Sequence, residues 1–416
     1  MNSIERAVYN ALKRNPRMKN AVVDCYQRLF SRIPVRNRYF GNKISVREGF
    51  FFGFHDKCPW SADNRFLLAH HCGDAPLRMP QPDESVEVGY FSGEDHTRFQ
   101  PIGTTLSWNW QMGSMLQWVG KTSDIIFNDV EGAQNVARIV TDQGDHVATL
   151  TRPVTAVSPD GKNALSYSFE RLRIGAPGYE YANGQEAEAF DRIPQNDGLY
   201  RISINDQKIW KLFSVADIVE LNPTSCMKDA YHFFSHCQFS PSGKRFVFYH
   251  RWLLSTGRLR SRMISSDLDG GRLYIFPTAG MVSHMCWRDD EDILAYANTN
   301  EFGDQYYLFK DNEDVFQVFG KGQFKTDGHP QFSNDGRYIL TDTYPDRFRR
   351  QSLLVYDMER DLLTTVMQLR ISLIYRYDVR CDFHPRWNRN STMICFDSAH
   401  SGKRSLCTMP FQQPNQ

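Results

Sequence analysis

An all-β chain folded as one seven-bladed β-propeller, with a short basic α-helical N-terminal extension, is predicted by three features. A strand-turn-strand unit recurs seven times, aromatics make up 13% of the chain, and histidines return at one phase of the unit. The predicted division is residues 1–41 for the extension and 42–416 for the propeller.

The unit is an apolar strand, an aromatic, a Ser-x-Asp-Gly type of turn and a second apolar strand. It reads HDKCPWSADNRFLLAHH at 55–71, VTAVSPDGKNALSYSF at 154–169 and HCQFSPSGKRFVFYHRW at 236–252. It returns as HMCWRDDEDILAYA (284–297), HPQFSNDGRYILTDTY (329–344) and HPRWNRNSTMICFDS (384–398), with a degenerate copy, SMLQWVGKTSDIIFND, at 114–129. Asp-Gly and Asn-Asp turns tolerate the left-handed backbone of tight hairpins. The flanking β-branched and aromatic residues suit strands that pack blade on blade. A single blade cannot bury both of its faces, so the array must close on itself. Later strands are visible at 199–206, 272–278, 306–314, 352–361 and 404–411. The last blade is short of a strand, and NKISVREGF (42–50) is predicted to pair with it. A six-bladed closure and a pair of β-sandwiches are the alternatives.

Composition narrows the function. A net charge of +1 gives no field for holding nucleic acid. No apolar run reaches the roughly 18 residues that span a bilayer, and the start of the chain reads as no secretory signal. Nine scattered cysteines without a CxxC pair read as a reduced, cytoplasmic pattern. The first fifty residues hold eleven Lys/Arg against three acids. Their apolar residues fall at helical spacing, punctuated by Pro16 and Pro34. They read as helices packed on the barrel or as a peripheral attachment to anionic lipid or to membrane-bound glycosyltransferases at the inner membrane.

Four copies place a histidine four residues before the turn: His236, His284, His329 and His384. His55 stands six before its own. On the innermost strands this phase points the rings at the central channel. The aromatic three residues further on (Phe239, Trp287, Phe332, Trp387) then faces the inter-blade core. Converging imidazoles suit a divalent metal, or a base that removes a proton. A merely polar channel lining is the plainer alternative. Arg251 and Arg258 are further catalytic candidates, with His250 beside them. Trp108, Trp110 and Gln111 form an aromatic and amide cluster suited to a sugar, although core packing serves the tryptophans equally well. Asp342 and Tyr344 lie one strand beyond His329.

At these residues the sequence resembles the oligogalacturonate lyase family of β-propellers, on a repeat of the loose WD40-like, TolB type. The resemblance covers roughly 230–410. HMCWRDDEDILAYA looks like the family's His-x-x-Trp repeat, and HPQFSNDGRYILTDT like its His-containing Asp-Gly repeat. CDFHPRWNRNSTMICFDSAHSGKRSLCTM is similar to its His-Pro-His-Pro segment. The resemblance implies a cytoplasmic enzyme that uses manganese or a similar divalent ion to split short uronate oligosaccharides by β-elimination. It implies His284 as the base, His329 and His384 as metal ligands, and His250 facing substrate. The first histidine of the His-Pro-His segment is Asp382 here, which can still bind a hard ion such as manganese or calcium. The family's glutamine ligand aligns with Val379, which cannot. His55 and His236 complete the substrate-facing candidates.

The leading expectation is therefore a carbohydrate-active lyase whose partner is an oligosaccharide or polysaccharide. The alternatives are a non-catalytic glycan-binding or scaffold propeller, or a sugar-transferring enzyme, in bacterial cell-surface polysaccharide biosynthesis. No Gly-rich phosphate cradle is present, so no nucleotide cofactor is predicted.

Overall fold

In the computed structural model, which describes residues 16–39, 43–185 and 187–412, seven antiparallel sheets follow one another along the chain. Six of the seven sequence units form the two inner strands of one sheet; in blade one the unit supplies the second strand, Leu67–His71, and the innermost, Phe50–Phe51, precedes it. Blade one runs from Phe50 to Thr105, blade two from Gln117 to Leu150, and blade three from Ala156 to Ser214. Blades four and five span Tyr231–Ile275 and Val282–Val318, and blades six and seven begin at Gln331 and Arg386.

The turns are built as their sequence dictates. In blade three the Ser158 hydroxyl donates to Asp160 (2.6 Å) and accepts from the Asn163 amide (2.9 Å). Ser333 and Asp335 repeat the pattern in blade six (2.6 Å), as do Ser61 and Asp63 in blade one (2.7 Å). The side chains take over backbone partners that the tight hairpin leaves unsatisfied.

Closure follows the predicted route. Ser45–Glu48 pairs antiparallel with Ser405–Thr408 and completes blade seven. The extension also lends a strand to blade six, where Arg38 and Tyr39 pair with Gln368 and Met367. A helix begins at Pro16 and ends at Phe30; the more N-terminal helical pattern lies outside the described residues.

Aromatics cement neighbouring blades. Phe213 stacks near Phe248 across blades three and four (6.1 Å), and Phe276 meets Phe309 edge-on across four and five (5.8 Å). Phe239, Trp287 and Trp387 are buried as the histidine phase requires, whereas Phe332 is half-buried. All nine cysteines are free thiols. No described helix is long and apolar enough to cross a membrane.

Candidate functional site

Blade seven anchors the chain where it enters blade one. The buried Asp397 carboxylate accepts from the amides of Phe52 (3.0 Å) and Gly53 (2.9 Å). Arg386 pairs with Asp397 (2.9 Å) and donates to the Gly53 carbonyl. Gly53 has φ +114°, and a Cβ there would stand 2.7 Å from the Met112 backbone, so glycine is required. This anchor delivers Phe54 and His55 to the propeller axis.

Phe54 is the hub. Its ring centroid lies 4.7 Å from His55, 4.9 Å from His236 and 5.0 Å from His384. His284 and His329 are each 6.1 Å away. The imidazoles also meet one another: His284–His329 at 4.2 Å and His329–His384 at 4.3 Å. Simple strand alternation does not aim them. The ladder of blade four slips between Ser235 and Gln238, and that of blade five between Val282 and Met285. Such bulges re-aim side chains next to active sites. His236 and His384 adopt the left-handed region, φ +56° and +43°, at a cost of about 1–3 kcal/mol each.

Carboxylates orient two of the rings. His329 donates from Nδ1 to Asp342 (2.7 Å), and the same carboxylate accepts from the His329 (2.9 Å) and His384 (3.2 Å) amides. His284 Nδ1 faces Asp327 Oδ1 (3.0 Å), whose other oxygen accepts from Ser283 (2.6 Å). In both rings the carboxylate fixes Nδ1–H and leaves Nε2 as the lone-pair nitrogen. Burial presses the His284 pKa down despite Asp327. Burial also acts on His329, but Asp342 overcomes it and raises the pKa. Burial, reinforced by neighbouring imidazoles and arginines, holds His55, His236 and His384 well below the usual histidine range.

Candidate ligand atoms of His329, Asp382 and His384 lie within 4.8 Å of one another. The donor set fits a divalent ion. His384 Nε2 and Asp382 Oδ1 are buried without a hydrogen-bond partner, and His329 keeps Nε2 free of Asp342. Neutral imidazoles with one carboxylate suit manganese and similar borderline-hard ions.

The axis is capped. Arg380 donates from Nε to Asp382 Oδ2 (2.7 Å) and from Nη2 to the Tyr179 hydroxyl (2.5 Å). Tyr179 belongs to the insertion before the third strand of blade three, and its carbonyl accepts from Asn109 (2.9 Å). Beneath, the space between Phe54, His55, Asp56, His236, Gln238 and Met285 has room for about one water.

The structure brings His55, His236, His284, His329, Asp342, Asp382 and His384 together. Tyr344 joins them at the rim, its ring 5.7 Å from His329. Arg251 is packed against Tyr249 and shares a void with His236 and Tyr179. Five predicted residues fall elsewhere. His250 turns away from the axis because Arg262 donates to its Nδ1 (3.0 Å) and its Nε2 meets His232 (2.8 Å). Arg258 lies in the hairpin turn beyond that strand, its carbonyl accepting from Leu254 (3.0 Å). Trp108 and Trp110 are buried and spend their indole N–H groups on the Glu84 (2.8 Å) and Arg78 (2.7 Å) carbonyls, so they pack a loop instead of presenting a platform. Gln111 holds the Arg380 carbonyl (2.9 Å) and thereby supports the cap from below. Val379, too, packs against the Phe51–Trp108–Trp110 cluster.

Sequence reasoning passed over Phe54, Asp327 and Tyr179. Asp327 had a usable signal, since it stands two residues before His329 in TDGHP. The other two are placed by tertiary contacts and carry no local signature.

Fold and site together define a class: a seven-bladed β-propeller with a histidine-lined, carboxylate-braced axis. Among solved structures the chain is similar to an oligogalacturonate lyase in complex with manganese, at 11% identity and TM-score 0.62, covering 91% of this chain and 99% of that one. It is similar to an oligogalacturonate lyase from Vibrio parahaemolyticus at 11% identity and TM-score 0.59, with the same coverage. TolB from Acinetobacter baumannii matches at 12% identity and TM-score 0.41, over 90% of this chain and 98% of that one. The likeness to the two lyases shows the fold. No protein-family model matches the chain, and no curated protein matches it.

Proposed function

We propose that the protein is a metal-assisted lyase acting by β-elimination on uronate-containing oligosaccharides or polysaccharides. The observation that carries this reading is the carboxylate-oriented His284 ring 4.2 Å from His329, a member of the His329–Asp382–His384 donor set. The reaction takes the C5 proton, α to the uronate carboxylate. The C–H electron pair becomes the C4–C5 double bond, the C4–O bond breaks with its pair going to the departing oxygen, and that oxygen takes up a proton from solvent.

His284, kept neutral by burial, accepts the C5 proton at Nε2. Asp327 holds its Nδ1–H and stabilises the imidazolium that forms. Arg251 and Arg380 offer cations to the substrate carboxylate as charge develops on it. A manganese or calcium ion held by His329, Asp382 and His384 would supply Lewis-acid neutralisation of that carboxylate. The fold shared with oligogalacturonate lyases supports the reading. The test is a panel of uronate glycans with manganese or calcium present. An unsaturated product absorbing at the ultraviolet edge, lost in His284→Ala, is the expected result; no such product from any member of the panel rejects the reading.

One observation favours a second reading, a non-catalytic glycan-binding or scaffold propeller. The axis has room for about one water, and Tyr179 and Arg380 close over it. Glycan binding by a protein without stoichiometric metal and without unsaturated product would support this reading.

A further inference from the structure

The helix Pro16–Phe30 has two apolar faces, and the propeller uses one. On that side the Phe30 ring meets Phe348 edge-on (5.6 Å), Arg347 donates to the Tyr26 hydroxyl (3.4 Å), and Arg349 donates to Gln27 (3.2 Å). Asp24 pairs with Arg376 (2.5 Å). The other face points away. Met18, Val22, Cys25 and Leu29 recur at the 4-3-4 spacing of a single helical stripe. All four are exposed, Leu29 by 64% and Met18 by 50%. Ile33 extends the stripe past the helix end, 45% exposed. The loop tied on by Arg376 adds Ile374 and Tyr377, each 55% exposed.

Charge identifies what covers this stripe. The first fifty residues hold eleven basic and three acidic side chains, the rest of the chain 38 and 45. Arg28, Arg32, Arg36 and Arg38 are exposed along this edge. Its one acid in the helix, Asp24, is already spent on Arg28 (2.7 Å) and Arg376. An apolar stripe bordered by arginines, on an otherwise acidic molecule, is the pattern of a helix lying in an anionic membrane interface. A second copy of the chain would set these arginines against themselves.

We infer that the outward face of this helix, with Ile374 and Tyr377, docks the protein on an anionic lipid surface. The inference goes beyond the lyase reading and does not rest on it. The Tyr377 loop runs on into Arg380, so the docked edge and the capped mouth of the axis share one connection.

The test is co-sedimentation of the full chain with vesicles of phosphatidylcholine, alone or mixed with phosphatidylglycerol. The chain is expected to partition onto the mixed vesicles, to ignore the neutral ones, and to be released by high salt. The double change Val22→Glu with Leu29→Glu should weaken partition at least about tenfold. Arg32→Glu with Arg36→Glu should weaken it by a similar factor, about tenfold. The replaced side chains are exposed, so thermal melting should not move, and either pair reads the claim if the other fails to fold. No partition onto mixed vesicles, equal partition onto neutral ones, or parent-like binding by both pairs overturns the inference. So does a dimer, split by the Val22/Leu29 pair, from a chain that ignores vesicles.

Discussion

The two halves of the propeller axis are built from the same repeat and spend it differently. Blades four to seven, with the segment entering blade one, supply five imidazoles around Phe54. Blades two and three supply Met115, Met112 from the loop before it, and Tyr167, all buried in one apolar cluster. The strands on both sides obey the same turn chemistry, so the difference lies in the residues just before the innermost strand. His236, His284 and His384 sit at bulges or in left-handed backbone, and Met115 on the other side is left-handed as well (φ +56°), so the two halves share the backbone device and differ in the side chains it presents. The methionine side fills volume and gives the polar side a dry wall, which strengthens every charge interaction at the axis.

The largest expected effect falls on the joint between the halves. Asp397→Ala strands Arg386 and two backbone amides in a buried site and should cost about 3–5 kcal/mol, read by denaturant unfolding. It should also release Phe54 and His55 without touching any ring at the axis. On the apolar side, Met115→Ala should cost about 2–5 kcal/mol by leaving a cavity. Metal affinity should be unchanged in that variant; a parallel loss would mean that the two halves do not divide the labour.

Histidines that miss the axis sharpen the contrast by pH. His232 donates to the Met227 carbonyl (2.8 Å), leaving its Nδ1 to meet His250 Nε2 (2.8 Å), and Arg262 donates to the far side of His250. The pair is therefore neutral in the folded chain. Burial lowers the His232 pKa to about 4. A histidine depressed in the folded state binds fewer protons than it does unfolded. Its contribution is present above about pH 6.5 and is lost as pH falls toward 4, by roughly 3 kcal/mol. Thermal melting across that window should show the loss, and His250→Gln should not abolish metal binding, because His250 does not face the axis. The smallest expected effect belongs to Tyr179→Phe. It removes the hydroxyl on Arg380 and should cost about 1 kcal/mol, visible as a small drop in melting temperature.

Much of this was legible in the sequence, for physical reasons. Ser-x-Asp-Gly turns are local hydrogen-bond networks, so seven copies reported seven blades. The gap in blade seven and the strand at 45–48 were likewise readable from strand counting. The histidine phase was readable because the innermost strands share one register. What the phase could not convey was aim. Period-two alternation predicts the direction of a ring only in a regular ladder, and His236 and His284 sit where the ladder slips. His250 looked like a pocket residue because its strand neighbours one. Its ring turns outward because Arg262 and His232, twelve and eighteen residues from it along the chain, offer it partners on the side away from the axis. Tyr179 and Phe54 are set by contacts across the whole toroid and leave no local trace.

The proposed function turns on a divalent ion held by His329, Asp382 and His384 in the polar half of the axis. Calorimetric titration of manganese into chelator-treated protein tests it most directly. One ion per chain is predicted for the parent and for Met115→Ala, with binding abolished in His329→Ala and His384→Ala. A parent that takes up no ion, or an ion bound equally well without His384, would contradict the account.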